Sequence, residues 1–360
     1  MSIAAPGHTG PGPMGGTDPR EAAQVVLGEC HTLPFLPELP ERGPGADQAG
    51  RTLAMLTDMP FDVSPRGWRL ANSYGRLARR AMDFLDRDVD ALEEADERSR
   101  DPEADPPPGS RALQVRIAGP WSLAAGLELP GGLPVLSDRG ARRDLASSLA
   151  DGVATRVIQL ASTMRTRPRI LLDEPLLWHV AAGTVSSPSR LDPIAAVPAD
   201  QLALSLCRFA AALRRSGVAE VVMRVPTEGA TDAPAVWSVL TEPPRGETPL
   251  DGLCVATEPL HSARAHAALD AAGTALGDGR ILQLEGLPGL SRPPRTAAEA
   301  ERSATHLVAL LDRLGAPREG SLARVVLTPA VEHLIGGSDS ATEAFSGVRR
   351  VAEAAPRVAE

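Results

Sequence analysis

Short apolar runs that end in Pro, Gly or an acidic residue recur along the chain and alternate with longer stretches in which Ala, Leu and Arg repeat at helical spacing. Eight such runs stand in order: HTGPGP (8–13), PFLPELP (34–40), LQVRIAGP (113–120), RILLDEP (169–175), EVVMRVP (220–226), GLCVAT (252–257), RILQLEGL (280–287) and RVVLTP (324–329). The first two have weak strand propensity and the last six have strong propensity. Helices are predicted over 20–29, 46–59, 69–97, 137–165, 199–216, 232–240, 261–275 and 296–314. In the last, Ala300, Ala304, Leu307, Leu311 and Leu314 make one apolar face. Eight strand–helix units with right-handed crossovers predict an α/β fold, a TIM-type (β/α)8 barrel, over an open doubly wound sheet.

The 360 residues are read as one barrel domain. Residues 1–16 form a flexible N-terminal extension, and 86–109 form an acidic helical and then Pro-rich excursion before the third strand. The formal charge of −9 and the lack of a basic stripe argue against nucleic acid or an anionic membrane as partner. All 37 basic residues are arginine, which excludes a Schiff-base lysine and the lysine of a phosphate-binding P-loop. Cys30, Cys207 and Cys254 are too few and too scattered for a disulfide framework. MSIAAPGHTGPGPMGG lacks the charged and then apolar regions of a signal peptide, and no run approaches the roughly 18 apolar residues of a membrane span. The expectation is a soluble, cytoplasmic protein.

Candidate chemistry collects at predicted strand ends, the mouth of a parallel barrel. Asp173 and Glu174 are adjacent carboxylates able to hold a substrate amine or a proton, or to make a structural ion pair with Arg. Strand alternation lets only one of them face a pocket squarely. Trp121, after Gly119-Pro120, is suited to stack on a flat ligand or simply to pack. GPGPMGG (10–16) offers backbone amides to an anion but lacks a phosphate loop's context. Cys254, Glu258 and His261, with His266 beyond, are the best local group of metal donors, at a spacing that fits no standard zinc pattern. Cys30, His31, His179, His306 and His333 read as surface or packed residues, and no G-x-S-x-G elbow occurs.

The order of GGTDPREA (15–22), LPFLPELPERGPGADQAGR (33–51), GWRL (67–70), AGPWSLAAGLEL (118–129), LLDEP (171–175) and VVLTP (325–329) resembles the cobalamin-independent methionine synthase family, in particular its short, single-barrel actinobacterial members. The resemblance covers nearly the whole chain. It implies a TIM-type barrel, shared with uroporphyrinogen decarboxylase, that passes a methyl group from a methylated folate to homocysteine sulfur. In that family zinc holds the sulfur as thiolate, lowering the thiol's pKa.

Carried across, the family's zinc-binding His-x-Cys falls at Met223-Arg224-Val225, its acidic ligand near Ala256 and its last Cys at Val331, so the resemblance implies a lost zinc site. The family's amino-acid-binding carboxylate matches Asp173, its acidic loop matches Glu38 or Glu41, its Gly-Ser becomes Gly12-Pro13, and Trp121 lies where relatives contact the folate. Three readings follow. The first is methyl transfer to a homocysteine-like thiol with Asp173 on the ammonium. The second is a catalytically degenerate barrel that binds a small molecule or a protein partner behind a dry wall of Met223, Val225, Ala256 and Val331. The third is a metal-free, decarboxylase-like enzyme in which Arg116 and Arg224 hold substrate carboxylates.

Overall fold

The computed structural model describes residues 3–100, 107–188, 193–225, 241, 244, 246–258, 260 and 266–360. Seven strands form one parallel sheet: β1 (Gly7–His8), β4 (Ala112–Ala118), β5 (Arg167–Asp173), β6 (Glu220–Arg224), β7 (Gly252–Ala256), β8 (Ile281–Glu285) and β9 (Val325–Thr328), in spatial order β1-β9-β8-β7-β6-β5-β4. A separate antiparallel hairpin joins β2 (Phe61–Ser64) to β3 (Gly67–Leu70). The flanking helices are α1 (Pro19–Glu29), α2 (Gln48–Leu53), α3 (Arg76–Ser99), α4 (Pro120–Gly126), α5 (Arg139–Thr163), α6 (Leu177–Ala182), α7 (Ala199–Arg215), α8 (His266–Gly277), α9 (Ala297–Arg313) and α10 (Ser338–Ala359). The result is an α/β fold with a curled parallel sheet and flanking helices, TIM-barrel-like in architecture.

The run 34–40 makes no regular strand, as its three prolines dictate. It nevertheless lies between the two sheet edges. On one side Leu36 N donates to Gln114 O (3.0 Å) and Gln114 N to Pro34 O (2.8 Å); on the other Glu38 N donates to Gly12 O (2.9 Å) and Met14 N to Glu38 O (2.8 Å). Residues 7–14, read as part of a flexible extension, are therefore packed: Gly7–His8 pairs with Val326–Leu327, and Met14 is buried.

Strand alternation separates two environments. Ile170, Leu172, Val221, Met223, Leu253, Val255, Leu282 and Leu284 join the helices in the main core. Leu171, Val222 and Cys254 form a separate cluster on the opposite, concave face. Beside them runs a polar chain, in which Arg169 Nη2 donates to Gln283 Oε1 (2.8 Å), Gln283 Nε2 to Thr328 Oγ1 (3.2 Å) and Thr328 Oγ1 to Thr9 O (3.3 Å).

The predicted helix 69–97 begins only at Arg76, because Trp68 and Leu70 pair across the hairpin with Val63 and Phe61. The acidic stretch expected to be solvated is instead amphipathic. Asp88, Ala91, Leu92, Ala95 and Asp96 face inward, with Asp88 held by Arg42 and Arg51 and Asp96 by Arg100 and Arg111. Helix α9 opens with a capping box in which Thr296 and Glu299 satisfy each other's backbone N–H. The predicted helix 232–240, the start of 261–275 and residues 101–106 lie outside the described residues.

Candidate functional site

At the carboxyl ends of the strands, five side chains from five segments form one continuous ion network. Arg116 of β4 donates from Nη1 to Glu38 Oε2 (2.9 Å) and from Nε and Nη2 to Asp173 Oδ2 of β5 (3.0 and 2.5 Å). Gln48 Nε2, on the first turn of α2, donates to the same Asp173 oxygen (3.0 Å). Arg224 of β6 reaches Asp173 Oδ1 with Nη1 (3.5 Å) and grips Glu285 of β8 through Nε (2.6 Å) and Nη2 (3.0 Å). Burial opposes the charge on both arginines, but the carboxylates more than offset it and hold both guanidinium pKa values above their usual range. Two cations among three carboxylates leave the cluster one negative charge in excess.

Asp173 is wholly buried and its oxygens are taken by these partners, whereas the side chain of Arg224 keeps 25% of its surface exposed. Arg224 opens onto a cavity of about 780 Å³ lined by Thr257, Glu258, Glu285, Ser291, His306, Glu332 and His333 among others. His333 Nε2 donates to Ser291 O (3.0 Å) and His306 Nδ1 to Arg302 O (2.8 Å), which fixes the hydrogen-bonding side of each ring.

The remaining sequence candidates divide sharply. Glu174 faces away from the network: Oε1 accepts Trp121 N (3.0 Å) and Oε2 accepts Ser122 N (2.7 Å), so it caps α4. Burial pushes its carboxyl up to about 7 against those hydrogen bonds. Gly119 is required beside it, since a Cβ there would lie 2.2 Å from Glu174 Oε1. Trp121 is buried with its ring under Arg142 of α5, 5.5 Å from the guanidinium carbon, and lines a groove on the helix layer. Glu38 belongs to the network, while Glu41 is exposed on the turn Pro40–Arg42.

The dry wall expected of Met223, Val225, Ala256 and Val331 does not form. Met223 and Val225 are on the outward-facing register and pack into the main core, which leaves Arg224 between them as the inward residue. Ala256 and Val331 are half-buried. Charge, not apolar surface, occupies the mouth. Sequence reasoning missed Glu285 and Gln48 because they stand in unremarkable contexts; the inward alternation of Arg116 and Arg224 was the available signal.

The residues present do not fit the zinc that the family resemblance implies. Two guanidiniums already occupy the three carboxylates that could hold a dication. Cys254 is buried between Leu171 and Val222, where burial pushes its thiol far up and away from the thiolate a metal needs. Among the described residues no group of three His, Cys, Asp or Glu could hold a metal ion. His261, the third member of the proposed replacement set, lies outside the described residues, and Glu258 is exposed at the cavity.

These features define an α/β protein with a TIM-barrel-like curled sheet and a charged mouth at its carboxyl-terminal end. Among solved structures, it is similar to a protein assigned as a vitamin-B12-independent methionine synthase from Listeria monocytogenes (11% identity, 98% of each chain, TM-score 0.49). A methyltransferase from Methanosarcina mazei (11% identity, 97% of this chain and 94% of that one, TM-score 0.46) is also similar. So is a methylaspartate ammonia lyase from Clostridium tetanomorphum, with 14% identity and a TM-score of 0.43, where 99% of this chain spans 59% of that one. At these identities the likeness concerns the fold alone. No family model and no curated protein matches the chain. No helix among the described residues is long and apolar enough to cross a membrane.

Proposed function

We propose that this chain is a single-barrel protein akin to the short actinobacterial relatives of cobalamin-independent methionine synthase, one that binds a small zwitterionic molecule of the amino-acid class at its mouth without thiol-activating zinc. On this reading the segment Pro34–Glu38, hydrogen-bonded on both sides, is the second of eight staves and closes the barrel. The observation that carries the functional reading is Arg224. It takes the inward position between the two family zinc-ligand positions, is clamped by Glu285, makes one long contact from Nη1 to Asp173 and lines a cavity of about 780 Å³. A guanidinium there suits a ligand carboxylate, and the cavity acids Glu258 and Glu332 suit its ammonium.

Methyl transfer from a methylated folate to a homocysteine-like thiol would need another means of forming the thiolate, since a free thiol of pKa about 8.5 is mostly protonated at neutral pH. The test combines zinc analysis of untagged protein with calorimetric titration of homocysteine and methionine, and a methyl-transfer assay with and without added zinc. The expected result is amino-acid binding that Arg224→Gln abolishes, with no methyl transfer at any zinc loading. Stoichiometric zinc with turnover, or binding indifferent to Arg224→Gln, overturns the proposal.

A further inference from the structure

Outside the barrel mouth, helices α5 and α7 diverge over a groove of about 590 Å³, within the size range of small-molecule sites. Its floor is made of small and apolar side chains, Ala146, Ala150, Phe209 and Ala212, and its rim carries Arg139, Arg142, Arg143 and Arg208. Among the described residues no acidic side chain lines it. The neighbouring acids are engaged elsewhere: Asp138 caps α5 by accepting Ala141 N (2.9 Å), Asp144 stands 3.7 Å from Arg143, and Glu247 takes Arg208 at 3.0 Å.

Arg139 and Arg142 remain without an ion pair among the described residues, in a chain that is acidic overall. Two buried donors at this place, Arg142 Nε and Trp121 Nε1, lack any hydrogen-bond partner among the described residues. Trp121 is more than nine-tenths buried and lines the groove directly beneath the Arg142 guanidinium. Unpaired buried donors carry a desolvation cost that a matched acceptor would recover. Burial and the adjacent Arg139 depress the Arg142 pKa, with only Asp138 opposing, as expected of a cation lacking its counter-charge.

We propose that the α5–α7 groove binds a phosphate monoester carried on a flat ring, a ligand of mononucleotide size and chemistry. The phosphate lies between Arg139 and Arg142, whose planar forks suit its oxygens, and the ring lies on the alanine-rich floor. This site is separate from the mouth and does not depend on the function proposed there. A localised pair of unsatisfied donors favours a compact anion over an extended acidic partner.

The test is calorimetric titration of the full chain with adenosine monophosphate at low salt, with adenosine, inorganic phosphate and an acidic peptide as parallel probes. Expected is a dissociation constant below about 1 mM for adenosine monophosphate and weaker binding of adenosine and of phosphate alone. Arg142→Gln and Arg139→Gln should each weaken the nucleotide about tenfold or more, the loss expected of one charge-assisted contact. Arg139 is exposed on the first turn of α5, so its variant keeps the test valid if Arg142→Gln perturbs folding. The proposal is overturned if the nucleotide binds no better than phosphate or adenosine, if neither variant changes its affinity, or if the acidic peptide binds where the nucleotide does not.

Discussion

Replacing Arg116 by Met tests the charge logic of the mouth directly. Arg116 bridges Glu38 and Asp173, both buried, and its side chain is itself 12% exposed. Met keeps most of the side-chain volume but removes the cation, so Glu38 and Asp173 lose their shared counter-charge. Breaking a buried pair in this way costs about 3–5 kcal/mol. With an unfolding entropy of about 2.1 cal/mol/K per residue, a chain of this length should lose about 4–7 °C in Tm. Burial already raises the Glu38 pKa against the pull of Arg116 and Arg51, and removing Arg116 raises it further. In the variant the folded state then holds protons that the unfolded state releases above about pH 4.5. The destabilisation is therefore largest at pH 8 and shrinks toward pH 5. Asp173→Asn gives the contrast, because it leaves two arginines facing two carboxylates and should cost less than half as much. Scanning calorimetry of both variants at pH 5 and pH 8 decides the matter. A loss from Arg116→Met that is no greater than that from Asp173→Asn, or that is independent of pH, would refute the network as drawn.

Other consequences of the structure can be measured alongside. Asp88→Ala strands Arg42 and Arg51 without their buried partner and should cost about 3–5 kcal/mol in urea unfolding; a loss under about 1 kcal/mol would show the pair to be solvated. At Gly152 a Cβ would lie 1.7 Å from Met55 O, so Gly152→Ala should destabilise by about 1–3 kcal/mol despite its better helix propensity, and a stabilised variant would mean the helix–loop contact is absent. Glu174, with its carboxyl raised from 4.5 to about 7, contributes stability that is complete below pH 4.5 and lost as pH rises through 7, an effect of about 3 kcal/mol. Urea melts of wild type and Glu174→Gln should accordingly shift in the variant's favour from pH 5 to pH 8, and a gap that does not move with pH contradicts the assignment. Thr296→Ala removes one half of the capping box of α9 and should cost about 1 kcal/mol in the same assay, with no change expected only if the cap is frayed.

The six strong strands were legible because buried parallel strands read as unbroken apolar runs, and ILLD and VVLT carry that signal in four residues each. The segment 34–40 was legible only as a weak run. Prolines at 34, 37 and 40 deny it a ladder, and its pairing rests on two hydrogen bonds on each side to residues far away in sequence. The hairpin at 61–70 was hidden because Trp68 and Leu70 also satisfy helical spacing with the residues that follow, and only cross-strand packing against Phe61 decides between the two.

The site was half legible for a related reason. Alternation along a strand assigns a face to every residue once one is fixed, so Asp173 inward dictates Glu174 outward, and the register of β5 against β6 sets Arg224 opposite Asp173. That register is a long-range pairing which sequence spacing does not reveal. Without it, Met223-Arg224-Val225 reads as two lost ligands around an incidental arginine. With it, the arginine is the inward-facing member of the ion network and its neighbours are ordinary core. Glu285 follows by the same step, two strands away on the inward face, where it supplies the carboxylate that makes a buried guanidinium tolerable. The outward register of residues 223 and 225 and the cation at the carboxyl-terminal end of the sheet thus follow from one strand register. Substituting Arg224 alone should leave Glu285 as an unpaired buried acid and should not recreate a metal site.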